Sequence, residues 1–61
     1  MTELEQKLRL SLINEHFAKA EGFVRRANLA INPSVRLVLM AEAARHLEEA
    51  EQLRNELQAA G

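Results

Sequence analysis

The residues of this 61-residue chain best suited to chemistry are two histidines and the glutamates around them. If the chain folds back on itself at Asn32-Pro33, His16 and His46 fall at about the same level on opposite helices, with Glu15, Glu42 and Glu49 nearby. Imidazole and carboxylate are the usual ligands of zinc and related ions, and a dimer would gather four histidines. The spacing argues against a dedicated site. Neither histidine follows a glutamate by three residues, and there is no His-Glu-x-x-His run. Glu42 precedes His46 by four, which is ordinary same-face pairing on a helix. The expectation is two histidines at the edge of a helix seam, satisfied by a carboxylate, with no metal and no cofactor.

Covalent catalysis finds no support. The chain has no cysteine, tyrosine or tryptophan and no glycine-rich phosphate loop, and neither Ser11 nor Ser34 has an obvious base. A hairpin also lacks the concave pocket in which catalytic groups are normally desolvated. The chain reads as a non-enzyme. Nucleic-acid contact has a candidate patch in Arg25, Arg26 and Arg36, with Lys19 below them and Glu21 diluting it. A phosphate-reading surface needs several such residues in a stripe, preferably with stacking aromatics. Phe17 and Phe23 are better used as core, so this reading is kept as an alternative only.

These side chains sit on two long helices. Thr2 and Glu5 have the spacing of a capping box, and from there to about residue 27 only Gly22 interrupts good helix formers. Leu10, Ile13, Phe17, Ala20, Val24 and Ala27 alternate by three and four residues, which predicts the seam of helix one. Leu4, Leu8 and Leu12 form a second row. Residues 28–32 break the pattern: Pro33 suits the first helical position and Asn32 the N-cap before it, with Ser34 a weaker cap. Leu29 and Ile31 are expected to plug the closed end of the hairpin. Helix two is predicted over about 33–59, with Gly61 beyond its end. Its apolar positions include Val35, Leu37, Val38, Leu39 and Met40, then Ala43, Ala44, Leu47, Ala50, Leu53, Leu57 and Ala60. Gly22 is expected to mark a close helix approach.

Size and composition limit what this hairpin can do alone. Sixty-one residues make one domain, spanning 1–61, and the absence of cysteine removes any disulfide support. An apolar fraction of 48% is too high for disorder, while 3% aromatics leaves an aliphatic, alanine-rich core of modest area. The apolar rows outnumber what one neighbouring helix can cover, and uncovered rows commonly mark association sites. A net charge of −1 gives no electrostatic reason to seek nucleic acid or membrane. Helix two carries Glu42, Glu48, Glu49, Glu51 and Glu56 with Arg45 and Arg54 among them, most simply a solvated face in which Arg45 and Glu49 stand four apart. No apolar run has the length of a transmembrane span, and Met1-Thr2-Glu3-Leu4-Glu5 is not the basic start of a secretion signal, so the cytoplasm is the expected location.

The opening Met1-Thr2-Glu3-Leu4-Glu5-Gln6-Lys7-Leu8, with the two-helix layout, resembles the small co-chaperones of type III secretion needle subunits. The resemblance covers the first eight residues and has no counterpart in helix two. It implies a hairpin that holds a second helical chaperone. The reading of the residues themselves is an all-α antiparallel hairpin that pairs with a second copy in a four-helix bundle, as a small interaction or regulatory module. Core and contact surface are expected from Leu8, Leu12, Phe17, Val24, Leu37, Leu39, Met40, Leu47 and Leu53. The alternatives are a chaperone-like subunit bound to another helical protein and an RNA- or DNA-binding dimer.

Overall fold

The computed structural model describes residues 2–60 and contains two helices, α1 (Glu3–Leu29) and α2 (Pro33–Ala60), packed against each other as a hairpin. The expectations for Gly61 and for the side chain of Ala60 lie outside the described residues. Both helix starts are fixed by the residues that the sequence singles out. The Glu5 amide donates to Thr2 Oγ1 at 3.1 Å, satisfying one of the unpaired N–H groups of the first turn. At α2 the Asn32 Oδ1 accepts from the Ser34 and Val35 amides at 2.8 and 3.4 Å, with Pro33 at the first helical position. Helix α1 runs two residues past its predicted end. Ala30 then turns to extended backbone angles, and Arg36 Nη2 donates to its carbonyl at 2.7 Å, tying the connection to the first turn of α2.

The seam differs in phase from the sequence expectation. Buried on α1 are Ile13, Ala20 and Ala27, spaced by seven, with His16 and Phe23 half-buried between them. On α2 the buried residues are Ala43, His46 and Ala50, continued by half-buried Leu39, Leu53 and Leu57. Ile13, Ala20 and Ala27 lie in the seam as expected. The row that accompanies them inward is Arg9, His16 and Phe23, with Val24 also half-buried, while Leu10 and Phe17 stay exposed. The polar row can turn inward because its members find partners there: His16 meets His46, and Arg9 pairs with Glu56 across the helices. Alanine fills most of the seam, and among the described residues no large side chain is fully buried.

Two further expectations are corrected. Leu29 and Ile31 do not plug the closed end; they are 83% and 94% exposed, because the connection between Leu29 and Pro33 is too short to fold back over the helix ends. Gly22 does not mark a close approach either, since a Cβ built there meets nothing within 4 Å. Glycine in a helix interior then carries only its entropic cost, so Gly22→Ala should stabilise the hairpin by about 1 kcal/mol. Thermal unfolding followed by circular dichroism should show a midpoint raised by roughly 5 °C.

Candidate functional site

The two helices leave grooves along one flank of the seam and a broad apolar face along the other. Leu12, Lys19 and Arg26 of α1 and Glu42, Glu49 and Glu56 of α2 all line the grooves. In each helix these residues stand immediately to one side of the seam at seven-residue intervals. The rows on the other side are Leu10, Phe17 and Val24 in α1 and Met40, Leu47 and Arg54 in α2. In an antiparallel pair, equivalent flanks of the two helices share one side, so these two rows lie together on the face opposite the grooves. By register, Val24 stands level with Met40, Phe17 with Leu47, and Leu10 with Arg54.

The expected contact residues therefore separate into three places. Phe17, Val24, Met40 and Leu47 meet on the broad face, where Phe17 is 39% and Leu47 44% exposed, and Leu37 lies at the edge of that face. Leu39 and Leu53 belong to the hairpin's own seam. Leu8 and Leu12 lie on the groove side, both exposed, with Leu4 farther round the helix. Leu10 joins the broad face although it was assigned to the seam; its position seven residues before Phe17 is the signal for it.

The arginines named for nucleic-acid contact do not form a stripe. Arg36 is engaged with the Ala30 carbonyl, and Arg26 lies over the Phe23 ring at 5.5 Å on the groove side. Arg25 is about 100° farther round the helix, on the outer surface. Arg45 pairs with Glu42 at 2.6 Å rather than with Glu49. That hydrogen bond, and then the Glu42 charge, hold the Arg45 guanidinium above its ordinary pKa, so it stays protonated at every working pH.

The groove side contains the most polar cluster of the fold. His16 Nδ1 and His46 Nδ1 are 3.0 Å apart, and Glu49 Oε2 lies 3.3 Å from the first and 3.9 Å from the second. Phe23 stacks on His46 with ring centroids 5.6 Å apart and planes 11° from parallel. Arg26, Phe23, His46 and His16 thus form one column across the seam. The expected juxtaposition of the histidines is found, and of the three glutamates expected nearby the one beside them is Glu49, one turn after His46, whereas Glu42 turns to Arg45. Among the described residues, no helix is long and apolar enough to cross a membrane. The chain matches no family model, no curated protein and no solved structure.

Proposed function

We propose that this chain is a helical interaction module that works as a homodimer, two hairpins stacking their broad faces into an antiparallel four-helix bundle. The observation that carries the proposal is the phase of the seam. The fold turns a row of arginine, histidine and phenylalanine inward and leaves Leu10 and Phe17 on the surface, beside Met40 and Leu47, with Val24 half-buried at the same flank. A largely apolar row at seven-residue spacing on each of two neighbouring helices, broken here only by Arg54, is the pattern that a second helical layer covers.

Size and symmetry favour a second copy as that layer. The Cα envelope measures 46 × 15 × 9 Å, so its broad face spans about 700 Å² before side-chain relief, close to the ~800 Å² per partner of a stable interface. Phe17 and Leu47 lie near the midpoint of the hairpin. A two-fold axis lying in the interface at that level, perpendicular to the helices, sets each row against its own counterpart, with Phe17 and Leu47 at the centre, Leu10 against Val24 and Arg54 against Met40. Self-association also supplies what the alanine-filled seam lacks, namely burial of large side chains. The function is binding without catalysis, with the solvated charges outside the bundle left for further contacts.

The test is the absolute mass of the untagged chain by light scattering after size-exclusion chromatography, over a dilution series. Twice the chain mass of 6.9 kDa, persisting on dilution, is the expected result. A monomer would reject the homodimer and direct the same face, together with exposed Leu4, Leu8 and Leu12, towards a different helical protein. That outcome is the chaperone-like reading.

A further inference from the structure

We propose that His16, His46 and Glu49 form a binding site for a divalent first-row transition metal ion, with zinc the best fit. Helix α1 supplies one ligand and α2 two, so a bound ion would clamp the helices together at mid-length.

The argument begins with geometry. A tetrahedral zinc ion with bonds of about 2.0–2.1 Å holds neighbouring donor atoms roughly 3.3–3.4 Å apart. Here the three separations are 3.0, 3.3 and 3.9 Å. The nearest point equidistant from the three donor atoms lies in their plane, about 2.0 Å from each, so an ion with bonds of about 2.1 Å stands roughly 0.6 Å out of that plane, close to the tetrahedral position. The 3.0 Å approach of the two Nδ1 atoms matters most, because both imidazoles must turn the same nitrogen towards one spot. Without an ion, one Nδ1–H donates to the other nitrogen; with an ion in that place both Nδ1 lone pairs are shared with it, and the donor ring carries its proton on Nε2 instead.

The surroundings meet the other requirements of a metal site. Glu49 is not committed elsewhere: among the described residues the two imidazoles are the only basic side chains within 4 Å of its carboxylate, while Arg9 pairs with Glu56 and Arg45 with Glu42. The Phe23 ring, stacked on His46, holds the imidazole plane and shields it from water. Exposure rises from His46 at 9% to the Glu49 side chain at 43%. The ion is thus held from the seam side, and its fourth position faces the groove, where water completes the tetrahedron. Two nitrogens and one oxygen select zinc, cobalt, nickel or copper over magnesium or calcium, which prefer all-oxygen shells. The chain's short length and small seam make the clamp useful, because an ion bound to the folded form alone stabilises that form.

The site lies within one hairpin and does not rest on the homodimer. The test is calorimetric titration of metal-free protein with zinc chloride, alongside cobalt(II), whose visible bands report tetrahedral coordination. The expected result is one ion per chain, tetrahedral cobalt bands, and a thermal midpoint raised by zinc without change of mass in light scattering. Glu49→Gln and His16→Ala should each weaken binding by at least ~10-fold, the lower bound for loss of even an outer-shell partner. Glu49→Gln replaces a partly exposed side chain with one of nearly equal shape, so its circular dichroism should match the wild type and the test survives if His16→Ala unfolds. Zinc affinity unchanged in Glu49→Gln, or a stoichiometry other than one ion per chain, would overturn the site.

Discussion

Replacing Phe17 and Leu47 together by aspartate is expected to convert the dimer to monomer, weakening association by at least about 1000-fold. The two side chains stand level with each other at the centre of the broad face, and a two-fold interface counts each of them twice. Central interface side chains commonly cost about 2 kcal/mol or more when lost, and desolvating a carboxylate in their place adds to that. Two such sites per copy make four in the dimer, roughly 8 kcal/mol if additive, so three orders of magnitude in the dissociation constant, about 4 kcal/mol, is a lower bound. Aspartate is a poor helix former and lowers helix stability by itself. The control is therefore Leu8→Asp, which carries the same propensity penalty on the groove side and should leave the mass at that of the dimer. A double variant still dimeric at micromolar concentration would place the interface elsewhere.

The second large effect is expected in the seam, with a sign opposite to simple hydrophobic intuition. Ala43→Leu adds apolar volume at a position only 2% exposed, level with Ala20, which is 2% exposed as well. Close helix approach leaves no room for the added atoms, so the helices must separate or the leucine must take a strained rotamer. The expected cost is about 2 kcal/mol, seen as a midpoint lowered by roughly 10 °C in thermal unfolding at fixed protein concentration. Leu4→Ala, at a position 67% exposed, removes the same number of atoms and should change stability by no more than about 0.5 kcal/mol. A stabilising Ala43→Leu would mean that Ala43 is not in a tight seam.

That contrast also explains how far the sequence could be read. Thr2, Asn32 and Pro33 gave the element boundaries because caps are local: each needs only a side-chain oxygen and an amide two or three residues on. The level pairing of His16 with His46 was legible too, since the position of the turn fixes it. The phase of α1 was not. Leu10, Phe17 and Val24 stand beside Ile13, Ala20 and Ala27 on one side, and Arg9, His16 and Phe23 stand beside them on the other. Apolar periodicity alone selects the first set as the seam. It has no means of registering that Arg9 and His16 have partners waiting on α2, in Glu56 and in His46 with Glu49. Pairs across helices are non-local, and with them the choice of carboxylate beside His46 was lost: Glu42 was as well spaced as Glu49 until Arg45 claimed it. Leu29 and Ile31 are exposed for a simpler reason: apolar side chains favour burial, but a turn this short provides no place for it.

The Arg9–Glu56 pair and the histidine pair have one more consequence, for alignment. The short connection already resists sliding, but a seam of alanines at seven-residue intervals adds little to it, because a shift of one heptad towards the end of α2 sets Ala20 against Ala50 in place of Ala43. Such a slip would bring His16 opposite Leu53 and carry Arg9 about 10 Å along the axis from Glu56. Each misaligned hairpin would bury an imidazole without a partner. The polar groups inside the seam thus act as a key: they sacrifice some of the cohesion that leucine would provide, and in return one pairing of the two helices stands apart in energy from its translated copies.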